Sequence, residues 1–224
     1  DSFYLAKQLA KRDIQAQYRQ SFLGVFWAIF PVLINSLVWI FFQSFGTIKM
    51  TATNIPYPAF VLIGTTLWGI VGECINLTTQ SVNANSSIIT KINFDKEALI
   101  TLGLLKFFFN FLIKIGLIIV FLIFFRIVPS LEILYFVPLL FLSIIFFVAI
   151  GVLLMPISLL YTDISRLIPI GLQFLMYATP VVYAIPPEGV MRKIMLLNPL
   201  SYIINDLRNL LTGYELENPI FWIF

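Results

Sequence analysis

Residues 22–46 form an unbroken run without one charged side chain. About 20 consecutive apolar residues suffice for a helix to cross the hydrocarbon layer of a bilayer, so this run is long enough to span it once. The feature recurs over residues 58–80, 98–126, 133–160 and 167–184, interrupted only by isolated polar groups. The whole chain is 60% hydrophobic and 11% charged, with mean hydropathy +0.96. Soluble domains carry about 25% charged residues, so this chain cannot cover a globule in water. Soluble enzymes, disulfide scaffolds and disordered tails are excluded at this step. The fold class is an all-α membrane protein, and at about 20 residues per span plus loops the chain has room for five or six crossings.

The remaining bulk properties exclude more than they assert. A net charge of +3 and a pI near 9.0 would suit a nucleic-acid partner only if the cations clustered on a soluble face, and they do not. No nucleic-acid binding is expected. The lone Cys74 rules out an internal disulfide, and the absence of histidine removes the commonest zinc ligand and proton shuttle. No metal site is expected. No signal peptide is visible at Asp1, and residues 219–224 read as the start of a further, truncated span.

Between the spans the chain has distinct parts. Residues 1–20 place Phe3, Ala6, Ala10, Ile14 and Tyr18 at helical spacing with Lys7, Lys11, Arg12 and Arg19 around them. This describes an amphipathic helix on a membrane surface, or else a plain solvated lead-in. Residues 81–97 form a polar loop rich in Asn and Ser. Residues 185–213 contain Pro186, Pro187 and Gly189 and are too interrupted to cross; a re-entrant helical hairpin or a surface loop fits them. With the N-terminus inside, seven Lys and Arg residues lie on the inner side and five on the outer. Four of the seven precede the first span, whose flank usually dominates, so the N-terminus is expected in the cytoplasm.

Ionisable groups at membrane depth cost at least about 2.5–3.5 kcal/mol each on insertion scales, and each needs a partner or a wet cavity. Glu73 and Lys106 lie at matching distances from the inner ends of their spans and are expected to approach one another. Gly103, Lys106, Asn110 and Lys114 share one helix face, as a functional stripe or as glue between helices. The first span carries a stripe of Gly24, Ala28, Pro31, Asn35, Trp39, Phe42 and Gly46, and the second repeats Gly64, Trp68, Gly72 and Asn76. Small residues let helices approach closely. Aromatic faces beside amides also suit sugars, although ordinary packing or lipid-facing positions would show the same residues. No phosphate-cradling loop, nucleophile elbow, H-E-x-x-H or C-x-x-C occurs, so the chain is not expected to be an enzyme. If it moves a substrate uphill, the energy must come from another chain, for which the 81–97 loop is the natural dock.

Local strings carry a resemblance as well. Arg12-Asp13-Ile14, the run from Tyr18 to Ala28 and Pro31 resemble the start of the permease subunit of bacterial ABC-type polysaccharide exporters, the O-antigen, teichoic acid and capsule export family. So do Pro56-Tyr57-Pro58-Ala59-Phe60 with Gly64 and Trp68, and Asn85, Ile88-Ile89, Lys91-Ile92 and Phe94. The later half adds Tyr161-Thr162-Asp163, Thr179-Pro180-Val181-Val182-Tyr183, Asn198-Pro199-Leu200, Arg208 and Gly213. Asp95 and Thr162 depart from the family pattern, which often has proline and arginine there.

The resemblance implies six spans, an N-terminal interface helix, a coupling helix between spans two and three, and two small outer helices before the last span. It implies a homodimer in the bacterial cytoplasmic (inner) membrane, served by two copies of an ATP-binding ABC subunit that hold the ATP and magnesium. No cofactor is expected on this chain. Asn85, Ser86, Ser87, Ile88, Ile89 and Lys91 would form the coupling helix, with Arg12 and Asp163 bracing it. Trp27, Asn35, Trp39, Phe42, Trp68, Tyr177 and Tyr183 would line the path of a lipid-linked glycan. Rival readings are an ABC permease for drugs or lipids, a proton-coupled carrier built on Glu73, Lys106 and Lys114, and a membrane-embedded glycan-modifying enzyme.

Overall fold

The computed structural model describes residues 2–19, 24, 26–46, 52–84 and 96–222, and all regular structure among them is helical. The helices are α1 (Ser2–Arg19), α2 (Phe26–Ser44), α3 (Tyr57–Ala84), α4 (Lys96–Phe124), α5 (Ile133–Leu160), α6 (Thr162–Tyr177), α7 (Val190–Leu197) and α8 (Pro199–Thr212), followed by a 3-10 turn over Pro219–Trp222. A helix satisfies its own backbone hydrogen bonds, which is the requirement lipid imposes on a spanning segment.

Among the described residues, four helical segments are long and apolar enough to cross: Phe26–Ser44, Tyr57–Leu77, Thr101–Phe124 and Ile133–Leu160. They correspond to the first four apolar segments of the sequence. The fifth differs. Helix α6 starts earlier than residue 167, contains Pro169 with Asp163 in its first turn, and ends at Tyr177 rather than 184. Thr179 precedes Pro180, and a residue before proline is driven out of helical dihedrals, which keeps the helix from continuing. Residues 185–213 hold the pair α7 and α8, joined at Asn198, and Pro219–Trp222 makes a single turn. The expected coupling residues Asn85, Ser86, Ser87, Ile88, Ile89 and Lys91 lie outside the described residues.

The chain groups into two compact units. The first comprises Asp1–Ile29, Ile70–Lys114 and Ile144–Gly171; the second comprises Phe30–Gly69, Ile115–Ser143 and Leu172–Phe224. In the first unit α1 docks through small residues. Ala6 and Ala10, one turn apart, pack on Leu102 of α4, with Leu9, Leu105 and Met155 around them. Part of the α1 face expected to lie on lipid is therefore covered by protein. Helix α5 meets α3 at Gly151, where a Cβ would fall 2.6 Å from the carbonyl oxygen of Ile75. Only glycine permits that approach.

The second unit is built around α8, which is buried at Ser201, Ile203, Ile204 and throughout Asp206–Thr212. Its start is set by Asn198, whose side chain accepts from the Leu200 N–H at 3.0 Å, and by Pro199 in the first turn. Gly213, at φ 84°, ends it in the left-handed conformation, and the Tyr214 N–H closes the cap on the Asn209 carbonyl at 2.9 Å. The four candidate spans differ in enclosure: 72% of the Tyr57–Leu77 window is buried, against 11% of Phe26–Ser44. Helix α5 leaves Leu134, Val137, Phe141 and Leu153 exposed. Exposed apolar area on this scale marks a surface meant for lipid or another chain.

Candidate functional site

In the first unit the polar groups of the span interiors are neutralised in pairs. Lys114 Nζ lies 2.8 Å from Glu73 Oε1, with the lysine buried and the glutamate about one-third exposed. Lys106 lies 3.6 Å from Asp13 of α1, and Arg12 binds the same aspartate at 2.7 Å. The expected approach of Glu73 and Lys106 is therefore corrected. Counting from the span ends takes the end of the second span and the start of the third to lie level, whereas Glu73 meets the lysine eight residues further along α4, about 12 Å of helix rise. Lys106 is taken by Asp13 instead. Asn110, between the two lysines on the same face, is half-buried. Glu73 Oε2 is buried with no hydrogen-bond partner among the described residues. Arg12 is exposed and bound to its neighbour Asp13, while Asp163 is exposed in the first turn of α6.

The second unit assembles four of the residues expected along a substrate path. Asn35 and Trp39 project from successive turns of α2. The Asn35 amide donates to the Met176 sulfur at 3.7 Å, and the Trp39 ring lies 6.0 Å from the Tyr177 ring, tilted by 54°. Tyr183 donates its hydroxyl to the Tyr177 carbonyl. Gln173, one turn before Tyr177, donates to the Tyr177 hydroxyl at 3.1 Å. The sequence reading missed Gln173, although its i, i+4 spacing from Tyr177 was a usable signal. Phe42 sits a turn beyond Trp39, half-exposed, against Phe41. The result is a partly exposed cluster of aromatic faces and carboxamides. Trp27 belongs to the first unit and is half-exposed. Trp68 does not join the cluster: it is 7% exposed, packed within the chain, and serves the core instead of a wall. Its spacing matched the stripe, but it sits on α3, the helix most enclosed by protein.

A clamp beneath the cluster holds the turn after α6. The Tyr57 hydroxyl donates to the Val182 carbonyl at 2.8 Å, and Arg208 Nη1 donates to the Val181 carbonyl at 3.2 Å. Arg208 Nη2 donates to Asn205 at 3.1 Å, and its guanidinium carbon stands 3.5 Å over the Phe60 ring. Burial draws the Arg208 pKa down to about 9, against the pull of Glu217, so the group stays charged at neutral pH. A Cβ on Gly64 would fall 2.3 Å from the Val181 carbonyl oxygen, so only glycine lets α3 and this turn meet. From the other side Asn198 donates to the Ala178 carbonyl at 3.1 Å and to the Thr179 hydroxyl at 3.0 Å. Several of the strings that carried the family resemblance thus converge physically. Pro56 to Phe60, Gly64, Thr179 to Tyr183, Asn198-Pro199, Arg208 and Gly213 build one clamp and the helix that supports it.

This arrangement offers stacking faces, amides and a rigid frame on membrane-type helices. Residues 4–212 match the ABC-2 type transporter family, and the chain belongs to that family. It is a multi-pass membrane permease, a transport subunit of a class that works with an ATP-binding partner chain. It is 26% identical over 211 residues to the O-antigen export system permease protein RfbA of Klebsiella pneumoniae, covering 93% of this chain and 80% of that one. It is 24% identical to the protein of the same name from Myxococcus xanthus, covering 92% and 77%.

Proposed function

We propose that this chain is the transmembrane subunit of an ATP-driven exporter that carries a lipid-linked, O-antigen-like polysaccharide across the bacterial cytoplasmic membrane. It acts as a homodimer with two ATP-binding subunits, its N-terminus in the cytoplasm. The carrying observation is the cluster of Trp39, Tyr177, Tyr183, Asn35 and Gln173. Sugar rings present C–H faces that stack on aromatic rings, while carboxamides donate to and accept from hydroxyls. Each stacking contact contributes about 1 kcal/mol, by analogy with aromatic pairs. Contacts of that strength let a chain of sugars advance from site to site, where tight binding would stop it. The names of the two relatives support the same cargo.

In this reading α1 lies at the cytoplasmic interface, braced by Asp13 on Lys106. The segment containing Asn85 to Lys91 docks on the ATP-binding subunit and transmits its closure to α3 and α4. Helix α6 serves as the core of the fifth crossing, the pair α7 and α8 dips into the outer leaflet, and a sixth span follows residue 219.

The test is Trp39→Ala in cells that depend on this permease for surface polysaccharide. Losing one stacking contact should lower surface polysaccharide about fivefold, by the relation between barrier height and rate. Co-purification with the ATP-binding subunit should be unchanged. Full export by the Trp39→Ala protein would refute the conduit. Trp68→Ala is the wrong probe, because truncating a buried tryptophan costs about 3–5 kcal/mol of stability and would impair export through folding.

A further inference from the structure

A cavity of about 440 Å³ opens within the second unit, apart from the aromatic cluster, and its chemistry is unused by the conduit. Its volume falls in the range of small-molecule sites, roughly 300–1,000 Å³. Four carboxamides, Asn54, Asn205, Asn209 and Asn218, converge on the wall, together with Thr212 and Tyr214. A carboxamide presents two donors and an acceptor side by side, which is the complement of a sugar's paired hydroxyls. Internal bonds fix parts of the wall and leave capacity over. Asn205 Oδ1 is taken by Arg208, which leaves its NH2 as a donor; Asn209 Nδ2 is held by Glu217 at 3.4 Å, which leaves its carbonyl as an acceptor. The Tyr214 hydroxyl donates to the Asn54 carbonyl at 2.9 Å, so its exposed ring is held at the rim as a stacking face.

The wall carries charge of both signs, two guanidiniums and one carboxylate. Arg208 is enclosed between Phe60 and the Val181 carbonyl, Arg192 bonds the Pro186 carbonyl, and Glu217 supplies a negative charge. Beside these groups stand neutral hydrogen-bonding side chains and the surfaces of Tyr214, Leu196 and Phe60. Such a mixture recognises a hydroxyl-rich ring.

We infer that this cavity is a second saccharide-binding site, which holds one or two sugar units of the exported glycan away from the aromatic conduit. The inference rests on the polysaccharide reading above and adds a place where this chain itself contacts its cargo. The pair α7 and α8 supplies six of the sixteen lining residues, so occupancy would be felt directly by those helices.

Photo-crosslinking in cells tests it with the native cargo as the probe. The intact transporter, with its ATP-binding subunit, carries p-benzoylphenylalanine at Leu196 or, separately, at Tyr214. Irradiation should give a permease adduct that stains for carbohydrate from both positions, and none from Ile220, which is exposed outside the cavity. Asn54→Ala and Asn218→Ala should each lower the adduct yield about fivefold, the effect of one lost hydrogen bond. The same photoreactive residue at Phe42 reports on the conduit. Carbohydrate adducts from Phe42 with none from Leu196 or Tyr214 would overturn the cavity site alone. So would adducts containing only lipid, or a yield unaffected by both asparagine changes. Absence of adducts at all positions, with normal surface polysaccharide in cells lacking the permease, would overturn the export reading together with this one.

Discussion

Replacing Glu73 with methionine isolates the cost of leaving a cation alone inside the protein. The 2.8 Å contact between Glu73 and Lys114 corresponds to an attraction of about 6 kcal/mol at an effective dielectric of about 20. That figure is gross. Both ions give up hydration to form the pair, and the glutamate, about one-third exposed, is screened. Removing one partner of a buried pair costs about 3–5 kcal/mol, because the survivor remains desolvated. Exposure reduces the effect when Glu73 is the survivor, since it can recover some water. The expected costs are therefore about 3 kcal/mol for Glu73→Met and about 1–2 kcal/mol for Lys114→Met. The double variant should return to within about 1 kcal/mol of the original, since two apolar side chains replace two neutralised ions. Reversible unfolding of the purified protein in mixed detergent and lipid micelles reads all three. Polysaccharide display by the double variant reads function, and it should be retained. Two results would refute the reasoning: a Glu73→Met protein as stable as the original, or a double variant whose cost is the sum of the singles. Loss of export by a stable double variant would return the pair to the carrier reading.

Two further outcomes follow from the second unit. Gly64→Ala puts a methyl carbon 2.3 Å from the Val181 oxygen, so the turn must retreat by about 1 Å and weaken the Arg208 and Tyr57 bonds; a loss of about 3 kcal/mol is expected. An unchanged melting temperature would show that the turn is not clamped there. Burial raises the Asp206 carboxyl above the ordinary carboxylate range, opposed by its bonds to the Trp222 N–H at 2.8 Å and the Glu217 N–H. A raised folded pKa means that the folded state holds the proton more tightly. Its contribution is full below the unfolded value, about 4, and is lost as pH rises through the higher folded value. Hydrogen exchange of α8, corrected for intrinsic rates, should show that pH dependence, and Asp206→Asn should abolish it. Equal dependence in both proteins would contradict the assignment.

The long helices were legible because runs such as 133–160 leave the backbone no alternative in lipid. Partners within the bilayer were not. Which lysine reaches Glu73 depends on the vertical offset of α3 and α4, and helical spacing carries no information about offset. Trp68 shared its periodicity with residues of a wall, yet periodicity names a face without saying what covers it. The end of α6 was readable in principle from Thr179-Pro180, but unbroken hydropathy outweighed a single proline. The clamp residues were legible only as strings. Gly64, Arg208 and Asn198 lie far apart in the chain, and nothing local indicates that they meet at one turn.

Asn198 is the residue whose geometry reaches furthest. One side chain caps α8 through its oxygen and grips the 178–179 backbone and hydroxyl through its nitrogen. With Arg208 and Tyr57 fixing the next two carbonyls, α8 and the turn have no slack between them. In mechanical terms they resemble a bell crank, and a displacement of α8 is expected to pull on the turn that carries Tyr183. A push on the short helices should then be felt at the edge of the aromatic cluster.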